Sequence, residues 1–160
     1  MDLYEVLAQL NIAYEERSHE PVFTVEQTHA VQLDIPGTGC KNLLLNDRRG
    51  ENLLLVILRE DKHADTKAVA RFAGTSRLSF ATPEKLMEVL GLIPGSVSPL
   101  GIINDTQNRV KLLLDADLVG KQVIFHPNTN TKSLSLHFDD LIRFIEHLGH
   151  TYTLYPTQEA

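Results

Sequence analysis

Apolar residues recur along the chain in two rhythms. Leu3, Val6, Leu7 and Leu10 stand at helical spacing and predict an amphipathic helix over residues 2–11. Tyr14–Ser18 reads as a strand, and Thr24 followed by Gln27 makes a capping box ahead of a short helix over residues 26–31. After the loop Pro36-Gly37-Thr38-Gly39, two nearly continuous Leu/Val/Ile runs, residues 40–46 and 52–59, flank Asp47-Arg-Arg-Gly50. They predict a β-hairpin whose strands are buried on both faces. Asp65 caps a helix through Ala73 that stops at Gly74. Thr82-Pro83-Glu84 places a cap, a proline at the first helical position and an acid at the positive end, so a second strong helix runs to Gly91. Residues 97–103, 110–114, 123–126 and 133–137 read as short strands. Asp139 or Asp140 then opens a helix striped by Leu141, Ile142, Ile145 and Leu148 and closed by Gly149, before a last strand at Tyr152–Tyr155.

Helices and strands alternate without a repeated βαβ unit. The expected class is α+β: a mixed, curved, barrel-like sheet surrounded by helices. With 160 residues and no linker, repeat or low-complexity stretch, residues 1–160 are expected to form one domain. No apolar run reaches the roughly 18 residues of a membrane helix, and the acidic start Met1-Asp-Leu-Tyr-Glu lacks the basic segment of a signal peptide. A single cysteine, Cys40, permits neither an internal disulfide nor a cysteine-cluster metal site. A cytoplasmic protein, monomeric or weakly dimeric, is expected.

Charge changes the picture in one sector. Net charge is −6, yet residues 41–77 carry eight basic side chains against five acidic ones, including Arg48, Arg49, Arg71 and Arg77. A basic sector on an acidic chain suits either local contact with a polyanion or an uneven solvated surface.

Three stretches carry candidate chemistry. In Gly91-Leu-Ile-Pro-Gly-Ser-Val-Ser-Pro-Leu-Gly-Ile-Ile-Asn-Asp105, three glycines and two prolines fall between Gly91 and Gly101. Such a loop is either a plain structural turn or a rigid rim of backbone N–H groups that faces a carbonyl or phosphate. Lys41 introduces a very apolar strand; it is either a strand-end lysine or a point charge for a phosphate or carbonyl oxygen. His126, held extended before Pro127, can hydrogen-bond, move a proton or bind a metal. The seven histidines show no His-Glu-x-x-His pattern, so no metal is expected. Ser96 and Ser98 lack the Gly-x-Ser-x-Gly elbow of a serine nucleophile. Asn104-Asp105 either orients one of these groups or caps a turn.

Taken together and in this order, Lys41-Asn-Leu-Leu-Leu, the Gly91–Asp105 loop and His126-Pro-Asn-Thr-Asn-Thr resemble the YbaK/prolyl-tRNA-synthetase-associated editing domains, chiefly the free-standing prolyl-tRNA editing proteins of ProX, PrdX or ProXp-ala type. The resemblance spans essentially the whole chain. It implies a mixed α/β fold and hydrolysis in trans of a mischarged aminoacyl-tRNA, usually alanine on proline tRNA. A pocket built for proline discriminates only modestly against a smaller residue, so a second hydrolytic site is the remedy. The implied partners are the aminoacyl-tRNA acceptor end and prolyl-tRNA synthetase, and no cofactor or metal is implied, because water assisted by the tRNA ribose hydroxyl does the work.

By position, Lys41 would hold the terminal adenosine or its phosphate. Gly91, Pro94 and Gly95 would present backbone N–H groups to the aminoacyl carbonyl, and His126 would shape the amino-acid pocket. Asn42, Gly101, Asp105 and Asn128 would complete substrate binding, with Asp105 supporting the pocket or amino group. Arg48, Arg49, Arg71 and Arg77 would receive the acceptor stem. Relatives commonly carry an aromatic where this chain has Leu100, and often Phe where it has Leu44. That leaves side-chain preference open between alanine and cysteine or another small residue. A non-catalytic tRNA-binding module on the same fold is the alternative.

Overall fold

A computed structural model describes residues 2–21 and 35–156 of the chain. The helix expected over residues 26–31 lies outside the described residues. In chain order the elements are α1 (Leu3–Gln9), β1 (Tyr14–Ser18), β2 (Thr38–Asp47), β3 (Leu53–Arg59), α2 (Thr66–Ala73), β4 (Leu78–Phe80) and α3 (Pro83–Leu90). A 3-10 helix (Pro99–Asn104) follows, then β5 (Val110–Asp115), a 3-10 turn (Ala116–Leu118), β6 (Gln122–Phe125), β7 (Lys132–His137), α4 (Phe138–His147) and β8 (Tyr152–Tyr155).

The local reasons are those of the sequence. Asp65 accepts hydrogen bonds from Lys67 N and Ala68 N to start α2, and Gly74 ends it in the left-handed region at φ 73°. Thr82 caps α3 through Lys85 N, and Gly91 closes it at φ 66°. Three expectations are corrected. Residues 97–103 are not a strand: Ser98 Oγ accepts from Leu100 N and Pro99 fills the first helical position, so the segment winds into the 3-10 helix. His137, not Asp139 or Asp140, caps α4 by accepting from Asp139 N. A three-residue strand, β4, was not anticipated; only Leu78 of its residues is buried, so its apolar signal is weak.

One mixed sheet runs β1-β7-β6-β2-β3-β5-β8, with β4 added on β2. β3 is buried from Leu53 to Leu58, as its unbroken apolar run requires, whereas β2 is only half-buried around Lys41 to Leu43. The larger core cluster gathers α1, α3, the 3-10 helix and α4 on one face, around Leu44, Leu100, Phe125, Leu141 and Phe144. The smaller one lies under α2 on the other face, with Leu45, Val56, Leu58, Val69 and Leu78. Each fully buried leucine contributes about 2 kcal/mol.

The sheet opens at one place. β2 pairs β3 along one edge. Its other edge runs parallel to β6 only at Thr38–Val123 and Gly39–Ile124, and meets β4 only from Leu45 to Asp47. Residues 40–44 therefore border a gap in the ladder, bridged among the described residues by Ala81 N donating to Leu44 O.

Candidate functional site

Several predicted residues lie on the chain that flanks the gap. Beyond the Gly39–Ile124 pair β2 runs on through Lys41 and Asn42, whereas β6 ends at Phe125 and the chain turns after His126, with Asn128 N donating to His126 O at 2.8 Å. Because side chains alternate along a strand, Lys41 shares its face with Leu43 and Leu45, toward α2, while Asn42 shares the opposite face with Cys40 and Leu44, toward the larger core. Lys41 makes no hydrogen bond or ion pair with any described residue. Cys40 offers no nucleophile, since burial pushes its thiol pKa far up.

His126 is buried, and its Nδ1 stands 2.9 Å from the carbonyl of Lys132, so the proton sits on Nδ1. Burial, reinforced by His19, holds its pKa below the usual imidazole value despite that bond. The imidazole is neutral at pH 7 and turns an Nε2 lone pair away from Lys132. His19 was not singled out in the sequence. Its ring lies edge-on to His126 with centroids 6.1 Å apart, and its Nε2 is 2.9 Å from Ser133 Oγ. Nothing in a lone His-Glu-Pro signals that position.

The glycine–proline loop leads into the 3-10 helix. Ser96 N donates to Ile93 O at 3.0 Å across Pro94-Gly95, with Gly95 at φ 92°, a turn that demands glycine at its third position. The Gly95 N–H has no partner among the described residues. Beyond the turn, the 3-10 helix docks on the loop after β6: Asn128 Nδ2 lies 3.4 Å from Leu100 O. A methyl group added to Gly101 would stand 2.6 Å from Leu92 Cδ1 and 3.6 Å from Asn128 Oδ1, so this contact tolerates no larger residue without movement. Asn128 itself is left-handed, φ 62°. Leu100 is fully buried and Leu44 nearly so, both in the core behind the gap.

Asn104 and Asp105 hold the loop's base. Asn104 Nδ2 donates to Leu90 O at 2.7 Å. Both Asp105 carboxylate oxygens are engaged, by Arg109 N, by Val110 N and by His150 Nε2 at 3.0 Å. It therefore sits under the loop and anchors the turn into β5.

The arginines gather elsewhere. Lys67, Arg71 and Arg77, with Thr66 and Ser79, line a cleft of about 640 Å³ between α2 and β4. The register Asp47–Leu78, carried one residue further, sets Arg48 beside Arg77. All four arginines are exposed and form no ion pair with a described residue. The cleft lies at the far end of β2, roughly 20 Å from Lys41 at the rise of a strand, and on the same face of the sheet. Among the described residues no helix is long and apolar enough to cross a membrane.

A single mixed-sheet α+β domain, with a lysine, a Pro-Gly turn and a neutral histidine around a break in its sheet, is the class that fold and site define. The chain belongs to the aminoacyl-tRNA editing domain family, whose sequence profile matches residues 19–144. It is 34% identical over 147 residues to the prolyl-tRNA editing protein ProX of Acetoanaerobium sticklandii, covering 91% of this chain and 90% of that protein. It is 33% identical over 153 residues to the prolyl-tRNA synthetase associated domain-containing protein 1 of Danio rerio, covering 94% and 83%. A solved structure described as a candidate trans-editing enzyme for prolyl tRNA synthetase superposes with a TM-score of 0.75 at 18% identity, over 99% of this chain and 95% of that one. At that identity the superposition speaks for the fold.

Proposed function

We propose that this protein hydrolyses mischarged aminoacyl-tRNA in trans, with the alanyl ester of proline tRNA as its substrate. The observation that supports the reading is the gap itself: Lys41 stands on β2 where its edge leaves the ladder, His126 follows the end of β6, and the 3-10 helix beyond the Pro94-Gly95 turn docks on the same loop through Asn128. A lysine side chain and a backbone amide without partners among the described residues, and a neutral imidazole, are the groups that a phosphate-tethered ester needs.

Lys41, on the face shared with the basic cleft, holds the phosphate of the terminal adenosine. The aminoacyl group passes through the gap toward the core. Water attacks the carbonyl carbon; the carbonyl oxygen becomes an oxyanion met by the Gly95 N–H, and the C–O bond to the ribose breaks as the ribose oxygen takes up a proton. His126, at neutral pH, accepts a hydrogen bond at Nε2 from the water or the neighbouring ribose hydroxyl. Asp105 acts through the loop it anchors. Burial of Leu44 and Leu100 and the crowding at Gly101 support a preference for a small side chain.

Arg48, Arg49, Arg71 and Arg77, with Lys67, receive the acceptor stem at the cleft, where phosphates would replace counterions. A synthetase partner is consistent with the names that relatives bear. The test is release of amino acid from Ala-tRNA(Pro), Cys-tRNA(Pro) and Pro-tRNA(Pro). Selective release of alanine is expected. Selective release of cysteine would move the specificity, and tRNA binding without release of any would replace the hydrolase by a binding module.

A further inference from the structure

Two side-chain carbonyl oxygens near the gap are buried with no hydrogen-bond partner among the described residues: Oδ1 of Asn42 and Oδ1 of Asn128. Buried polar atoms are rarely left unpaired, because each such atom costs the desolvation it never recovers. Both sit on the core side of the sheet. Asn42 lies between Cys40 and Leu44, which pack there, and Asn128 lies against Leu100 and Gly101. For Asn128 the amide orientation is set, since Nδ2 faces the Leu100 carbonyl and Oδ1 must face the other way. Its backbone is left-handed, φ 62°, a conformation asparagine adopts readily.

Two unengaged acceptors, one on β2 and one on the loop after β6, describe a receptor for N–H groups. Asp105 is committed to the turn into β5 and to His150, and the Glu60 carboxylate lies against Gly39. We propose that Asn42 and Asn128 bind the free α-amino group of the aminoacyl ester, accepting two of its hydrogens. This rests on the deacylase reading above and deepens it. The site requires an unblocked amine as well as a small side chain, and neutral amides do so without placing a formal charge in the core.

The test compares alanyl-tRNA(Pro) with propionyl-tRNA(Pro), which has a hydrogen in place of the amine, each rate divided by its spontaneous hydrolysis. Wild type is expected to favour the alanyl ester by at least about 100-fold, since a site built to hydrogen-bond a group strongly rejects the analogue lacking it. Asn42→Ala and Asn128→Gly, the second keeping the left-handed backbone, should bring that ratio close to one. Asn42→Asp and Asn128→Asp, which keep an acceptor oxygen, should retain most of it. Equal acceleration of both esters by wild type overturns the assignment while leaving the hydrolase reading intact, and so does a preference that survives both truncations. If no ester is cleaved the hydrolase reading falls. The assignment is then decided by side-chain amide NMR with 3′-alanylamino-3′-deoxyadenosine against its propionyl counterpart. Shifts of the Asn42 and Asn128 signals with the alanyl compound alone sustain it, and equal or absent shifts overturn it.

Discussion

Two lysines at the open end of one hairpin use their charge in opposite ways. Lys62, just past β3, is buried, and its ammonium is bonded to Asp115 at 2.8 Å and Asp117 at 2.7 Å. Burial alone would lower its pKa, but the two carboxylates outweigh it and the net shift is upward. Asp115 answers in kind: burial raises its carboxyl, the Arg59 N–H, Lys62 and Asp117 N lower it further, and the net direction is down. Lys41, opposite Leu58 of β3, has no such partner among the described residues. The difference separates two uses of a charge. A structural ion cluster satisfies itself on folding, whereas a binding site leaves groups unsatisfied and recovers their cost only when a ligand arrives.

Exchanging the roles of these lysines is the strongest test. Lys41→Ala should lower deacylation by at least about 100-fold, on the scale of losing a positioned charge contact. Its melting curve should stay within about 0.5 kcal/mol of wild type. Lys62→Met should do the reverse, costing about 3 kcal/mol of stability by stranding buried Asp115 while activity per folded molecule holds. Denaturant titration and initial rates on the same samples read both. If Lys41→Ala unfolds the protein and Lys62→Met silences it, the division is wrong.

The basic cleft sharpens the comparison at a lower level. Arg71→Glu with Arg77→Glu should raise KM about tenfold, flatten the salt dependence of binding and leave kcat nearly unchanged. An unchanged KM would detach the cleft from the substrate.

Two pH effects follow from the same contrast. Asp115 has a lowered folded-state pKa, so its cluster contributes stability above the unfolded value near 3.9, lost as pH falls below it. Lys62→Met should blunt that acid loss. His126 is also lowered, so it stays neutral and functional below the ordinary imidazole value of about 6.5, and activity should fall only under that pH. His126→Asn should remove this acid limb from the rate profile. The smallest effect is at the loop: Ser98→Ala should cost about 1 kcal/mol of stability, the usual value of a lost cap, with KM rising as the 3-10 helix loosens. Thermal denaturation measures the first and initial rates the second.

Much of this was legible in the residues. Asp65, Thr82 and Gly74 announce α2 and α3 because caps and left-handed stops act over four residues. The leucine run of β3 announces a buried strand. The 3-10 helix was misread because Val97, Leu100, Ile102 and Ile103 are apolar enough for a strand, and only the Ser98-Pro99 cap tips the balance. Asp105 was read both as a pocket group and as a turn cap; the capping partners, Arg109 N and Val110 N, are local, but His150 is 45 residues away and left no trace in the pattern.

What the chain determined by itself was the set of elements and the three stretches that carry chemistry, since periodicity, caps and rigid turns are properties of neighbours in sequence. Only the tertiary structure decided that β2 and β6 part beyond Gly39 and Ile124, with Lys41 and His126 on the chain past the break, that Asp105 is held from below, and that Asn42 and Asn128 keep two oxygens without a partner among the described residues. Those facts depend on which strands fail to pair and which hydrogen bonds go unmade, and no stretch of sequence records a missing partner.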